Sequence, residues 1–227
     1  MNQRESDMSR PNRAPKQKRN YAAFSLKEAM KLIPAEQFSR WQLPASPRPP
    51  SDFFQEDMRR LEAFDLKSSE QAKTLLIDAL LAETVPQHPQ LKVWKAATIS
   101  TDTLTGMADY VMAPRRAYLE TPLLCVAEAK KDDFEQGAAQ CVAEMVACQW
   151  SNRQENHAID VYGIVSNGQG WQFYKLTLAG EIFETDQYGI EDLPGVLGAL
   201  DYLCGECAKN VPEGVGSRKS GVGREGL

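Results

Sequence analysis

One stretch, Leu123-Leu-Cys-Val-Ala-Glu-Ala129 followed by Lys130, limits what this chain can fold into more than any other. From Leu123 to Ala127 every residue is apolar, so both parities of a strand there seek apolar surroundings. That predicts a strand buried on both faces of a sheet. The run ends in Glu128-x-Lys130, and burying such charges is costly unless partner groups take them up. Strand side chains alternate with period two, so Glu128 and Lys130 leave the strand on one face. Upstream, Gly106-Met-Ala-Asp-Tyr-Val111 reads as the neighbouring strand, reached through a turn containing Pro and Arg. Asp109 can therefore lie across from Glu128. Two carboxylates and an ammonium gathered at the end of a buried strand describe a divalent-metal site with a lysine beside it.

The flanking segments supply the rest of a sheet. Ser68-Ser-Glu70-Gln71 has the pattern of a helix start, followed by Leu75, Leu76, Ala79 and Leu80 and stopped at Pro86. Leu91–Thr98 reads as a strand. Asp133 opens a long helix to about Trp150, burying Phe134, Ala138, Cys141, Met145 and Cys148. Asp160–Ser166 and Trp171–Leu176 are strands joined by Asn167-Gly-Gln-Gly170, and Asn-Gly between such runs predicts a hairpin. A phosphate-cradling loop is the rival reading, but no helix follows to cap a phosphate. Ile190–Leu203 reads as a final helix. The expected fold class is α/β, with a central mixed sheet of about five strands flanked by helices. This domain spans 67–208.

Residues 21–66 predict a helical N-terminal extension. Ser25-Leu-Lys-Glu28 is a capping box, and Phe54, Met58 and Leu61 share a face within Asp52–Phe64. Four prolines between Pro44 and Pro50 form an extended connector. The net charge of −5 is unevenly spread: residues 1–20 carry +4 and residues 209–227 carry +2, leaving −11 in the middle. Both basic ends lack apolar periodicity and predict disordered tails, and the first could serve as an electrostatic arm. An acidic body excludes avid non-specific duplex binding by charge alone. No apolar run is long enough to span a bilayer, and no apolar signal segment follows the start, so no membrane partner and a cytoplasmic location are expected. Of the five cysteines, Cys125, Cys141 and Cys148 read as core residues. Cys204-Gly-Glu-Cys207 is a lone C-x-x-C, a weak sign of metal or redox work.

The sequence G-x-x-D-Y, then E-x-K nineteen residues beyond Asp109, then a helix carrying Gln140, resembles the PD-(D/E)xK nuclease superfamily. It looks most like the N-terminal nuclease domain of type I restriction enzyme motor subunits, over roughly Ser68–Leu176. The resemblance implies a restriction-endonuclease-like core. Asp109 then matches the first metal-binding acid, Glu128 the second and Lys130 the motif lysine. Glu70 matches an upstream acid able to hold a second metal, and Gln140 the glutamine of the following helix. Ala108 stands where many members have Pro. The implied activity is phosphodiester hydrolysis of nucleic acid, DNA in the first instance, with Mg²⁺ or Mn²⁺ as cofactor. A partner protein or a homodimer is compatible with it. The alternative is a nuclease-fold module that binds nucleic acid or protein without catalysis. Glu83 rivals Glu70 as the helix acid.

Overall fold

The apolar run around Val126 forms a central strand, and the other elements are laid beside it or against its faces. The structure, a computed structural model, describes residues 17–66, 69–130 and 133–212, with the backbone alone for Glu70 and Gln71. Along the chain run β1 (Arg19–Asn20), α1 (Leu26–Met30), β2 (Ser39–Arg40), α2 (Asp52–Leu61) and α3 (Glu70–Thr84). Then come β3 (Leu91–Ser100), β4 (Leu104–Pro114), β5 (Cys125–Ala129), α4 (Phe134–Gln154) and β6 (Val161–Ser166). The last elements are β7 (Gly170–Leu176), β8 (Ile182–Glu184), β9 (Tyr188–Gly189) and α5 (Leu193–Lys209).

The sheet is mixed. β5 pairs antiparallel with β4 and parallel with β6, and a parallel pair needs a long crossover, which α4 supplies. Helix α4 covers one face, packing Cys141, Val142 and Met145 against Val111, Val126 and Val165. Helices α3 and α5 cover the other, packing Leu80 and Leu200 with Tyr110, Cys125 and Ala127. Every residue of β5 is buried, as a strand covered on both faces requires. Helix α4 sits close to the sheet because β6 offers no side chain at Gly163, where a Cβ would stand 2.5 Å from Cys141 Sγ. The hairpin expected at Asn167-Gly joins β6 to β7, with Gly168 at φ +81° and Asn167 Oδ1 accepting from the N–H groups of Gln169 and Gly170. All five cysteines are free and buried. Among the described residues no helix is long and apolar enough to cross a membrane.

Several expectations need correction. Among the described residues the sheet has nine strands, not about five. The five long ones fall where the apolar patterns put them, while β1, β2, β8 and β9 have only two or three residues each, too few to show a period. The basic N-terminal segment is ordered at its inner end. Arg19 and Asn20 pair with Leu104 and Thr105 of β4, and Lys18 Nζ donates to Ser100 Oγ. Tyr21 then turns into the core, donating to the Ile99 carbonyl at 2.7 Å, with its ring where a Cβ on Gly106 would stand 2.4 Å away. Of the tails expected over 1–20 and 209–227, residues 1–16 and 213–227 lie outside the described residues, while Lys209 ends α5 and the N–H groups of Asn210 and Val211 bond back to the Cys207 and Ala208 carbonyls. Residues 21–66 are not wholly helical, since β2 within them pairs with β8. Helix α3 is capped by Ser69, whose side chain accepts from Ala72 N–H, one residue later than the pattern at Ser68 suggested. Helix α2 ends at Leu61, three residues short of the expected segment Asp52–Phe64, and Phe64 is exposed.

A backbone reversal sits in the middle of the sheet. In β3, Val93 packs with the α3 and α5 core and Lys95 pairs with Asp78 of α3, yet Ala97 and Ile99 face the α4 core. In β4, Ala108 faces the α4 core while Tyr110 faces the other. Both strands therefore exchange faces at one level, where Ala96 has φ +51° and the pairing skips Ala96 and Asp109. A left-handed alanine costs about 1–2 kcal/mol. We expect Ala96→Gly to raise the unfolding free energy by about 1 kcal/mol, part of the relief being offset by unfolded-chain entropy. Ala96→Val should lower it. Urea denaturation of the three proteins checks both signs.

Candidate active site

The ladder between β4 and β5 is short, running from Met112↔Cys125 to Tyr110↔Ala127. One step further the strands part, and side chains replace the backbone carbonyls. Asp109 Oδ2 accepts from the Ala129 N–H at 2.9 Å, and Glu128 Oε1 accepts from the Asp109 N–H at 3.4 Å. Each acid thus ties down the backbone of the strand that carries the other. On the same edge of β4, β1 pairs only with Leu104 and Thr105. Between β1 and the end of β5, Gly106–Asp109 on this edge of β4 has no strand partner among the described residues, a notch in the sheet's pairing with Asp109 at its inner end.

Glu128 follows Val126 on the α4 face of β5, with its side chain fully buried. Lys130 lies just past the strand, its N–H bonded to the Ser166 carbonyl, and its Nζ is 3.1 Å from Glu128 Oε2. The lysine stem reaches back over the first turn of α4, where Gly137 leaves space: a Cβ there would stand 3.0 Å from Lys130 Cγ. Lys130 Nζ also donates to Gln140 Oε1 at 3.0 Å. Sequence-predicted Asp109, Glu128, Lys130 and Gln140 are therefore brought together by β4, β5 and α4.

Helix α3 carries the remaining predicted residue, Glu70, in its first turn, and the Glu70 side chain lies outside the described residues. Its rival Glu83 is engaged elsewhere: it accepts from the N–H and Oγ of Ser51, anchoring the start of α2. Cys204 and Cys207 are packed into the core from α5.

The sequence reading missed Glu144. It lies one helical turn after Gln140, is wholly buried, and accepts from Gln140 Nε2 at 3.2 Å. The i, i+4 spacing of Gln140 and Glu144 was the available signal. Burial pushes the Glu144 carboxyl well above the usual carboxylate range, and the neighbouring Glu128 pushes it further. Glu128 is raised to about 7, first by burial and then by the Asp109 charge, against the pull of Lys130. The two glutamates act on each other both as charges and as hydrogen-bond partners. Such a pair holds a proton between two acids.

The donor set can be tested against a metal. Glu128 Oε2 and Glu144 Oε2 are both buried, the first within 3.1 Å of the Lys130 ammonium, and Asp109 is half-buried at the notch. Among the described residues no group of three or more His, Cys, Asp or Glu could hold a metal ion. A transition-metal cage of protein ligands therefore does not fit. Mg²⁺ does, because it takes one or two carboxylates and completes its shell with water and substrate oxygens. Asp109 and Glu128 could supply such a pair of carboxylates.

The raised acids set a pH dependence. Between the ordinary carboxylate value of 4.5 and about 7 the folded metal-free chain keeps a proton on Glu128 that the unfolded chain has released. Stability is therefore full below that window and falls as pH rises through it. Glu144→Gln keeps the shape, accepts from Gln140 and never ionises. In metal-free protein it should melt near the wild-type temperature at pH 5 and at least about 2 °C higher at pH 8. Parallel wild-type and variant curves across that range would show that the buried pair carries no such linkage.

Neither a protein-family model nor a curated protein sequence matches this chain.

Proposed function

We propose that this chain carries a restriction-endonuclease-like core and hydrolyses phosphodiester bonds of nucleic acid, with DNA as substrate and Mg²⁺ or Mn²⁺ as cofactor. The observation that carries the reading is the convergence of Asp109, Glu128 and Lys130 where β4 and β5 part. The order of elements around them supports it too: the acid strand, the E-x-K strand, and a crossover helix bearing Gln140.

Hydrolysis adds the oxygen of water to phosphorus and breaks the ester bond to the leaving oxygen. Charge builds on the phosphoryl oxygens as this happens. Bound at Asp109 and Glu128, the metal would supply positive charge at those oxygens and a more acidic water. Asp109 and Glu128 contribute hard, negatively charged oxygens. Lys130 only donates hydrogen bonds, so it serves the phosphoryl oxygens or orients the incoming water. Glu70 remains a proposed upstream acid, for a second metal or for a water of the first. The acidic body makes the metal more necessary, since a polyanion would otherwise be repelled from the notch. A partner protein or homodimer could add the basic surface that the middle of the chain lacks.

The alternative module binds without cutting, with the acids and the lysine satisfying one another. Purified protein incubated with DNA and RNA in Mg²⁺, Mn²⁺ or EDTA separates the two readings. We expect metal-dependent cleavage that Asp109→Asn and Glu128→Gln each reduce by more than about 10²-fold, with weaker Mn²⁺ binding by calorimetry. Lys130→Ala should lose cleavage to a similar degree while binding Mn²⁺ as well or more tightly, since it deletes a neighbouring positive charge. Nucleic-acid binding with no cleavage under any metal would favour the module. Equal Mn²⁺ affinity in wild type and Glu128→Gln would remove Glu128 from the ligand set.

A further inference from the structure

Lys130 can only donate, so the part of Gln140 that meets its Nζ at 3.0 Å must be the carbonyl oxygen. This fixes the amide without any choice of flip. The NH₂ end of Gln140 then points along α4 to its next turn, where burial leaves no water to receive it. Glu144 Oε1 takes that hydrogen bond at 3.2 Å. Glutamate is a costly way to fill a fully buried helix position, because an apolar residue of similar volume there is often neutral or stabilising.

We propose that Glu144 is the positioning residue for Lys130, acting through Gln140. The inference rests on the nuclease reading for its catalytic consequence, though not for its geometry. Without Glu144 the Gln140 amide has one anchor and is free to turn about its side-chain bonds. Lys130 would then settle on Glu128 as a simple ion pair, its ammonium drawn into the strand end. With both ends of the amide engaged, Nζ is held between Glu128 Oε2 and Gln140 Oε1. The position of the ammonium is thereby fixed. Each polar end of Gln140 is engaged by a protein group, Oε1 by Lys130 and Nε2 by Glu144. Gln140 belongs to the support of the lysine.

The test uses the full chain with Glu144→Met, Glu144→Gln, Gln140→Met and the Glu144→Met/Gln140→Met double variant. Thermal melts and Mn²⁺ calorimetry establish that each folds and binds metal. Under single-turnover conditions with saturating DNA and Mg²⁺, we expect Glu144→Met to slow cleavage by about 10²-fold with KM little changed, the usual scale for a misdirected catalytic group. Glu144→Gln should recover most of that loss, since its carbonyl still accepts from Gln140. The double variant should be no slower than Gln140→Met alone, because the two residues act through one chain. A second readout needs no activity: acylation of Lys130 by an N-hydroxysuccinimide ester in metal-free protein, measured by peptide mass spectrometry. Lys130 should react faster in Glu144→Met and Gln140→Met, and near the wild-type rate in Glu144→Gln. Unchanged labelling in a folded Glu144→Met protein would overturn the proposal. So would wild-type cleavage in that variant, or additive losses in the double variant. A wild-type protein that cuts neither DNA nor RNA defeats the nuclease reading alone, and the labelling still decides the role of Glu144.

Discussion

Everything at the site depends on how two strands stop pairing. A β-ladder that ends in the interior leaves N–H groups without partners, and such groups are costly to bury. Here the Ala129 N–H goes to Asp109 and the Asp109 N–H goes to Glu128. The two acids close the ladder that their own strands leave open. This holds their carboxyls against the backbone, in place before any ligand arrives. It also explains how charged groups can stand at the end of a strand whose other residues are all buried apolar ones.

The arrangement carries an electrostatic burden. Asp109, Glu128 and Glu144 bring three carboxyls into one region beside the Lys130 ammonium, and two of those carboxyls are wholly buried. Continued burial is tolerable only if a proton is retained, as the raised Glu128 and Glu144 show. A protein optimised for stability alone would fill these places with apolar residues. Groups poised to exchange a proton for another cation are what a site for anionic chemistry needs.

Much of this was legible in the residues. The apolar run from Leu123, the Asn167-Gly turn and the Ser25 capping box each act locally, over a few residues, and each formed as read. The meeting of Asp109, Glu128 and Lys130 followed from the order of the strands, whereas Gln140 entered only through the family resemblance. The short strands β1, β2, β8 and β9 were not legible, because their pairing is decided by what lies beside them. Glu144 escaped for a different reason. Helix α4 is buried almost around its whole circumference over Gly137–Met145, so no polar face marked where a charged residue would point. The exchange of faces at Ala96 was also hidden, since an alanine carries no sequence signal for a left-handed backbone.

That alanine has a second consequence, for association. Strand β3 spans ten residues and pairs with β4 along one side. Among the described residues no strand pairs with its other side, a row of backbone donors and acceptors that in a flat strand would invite another chain to add itself. The left-handed residue breaks this row near its midpoint and turns its two halves to different faces. Each half offers only four or five residues in one register, with Lys92 and Lys95 on the first. The backbone reversal at Ala96, level with Asp109 in the neighbouring strand, thus also blunts this edge of the sheet against self-association.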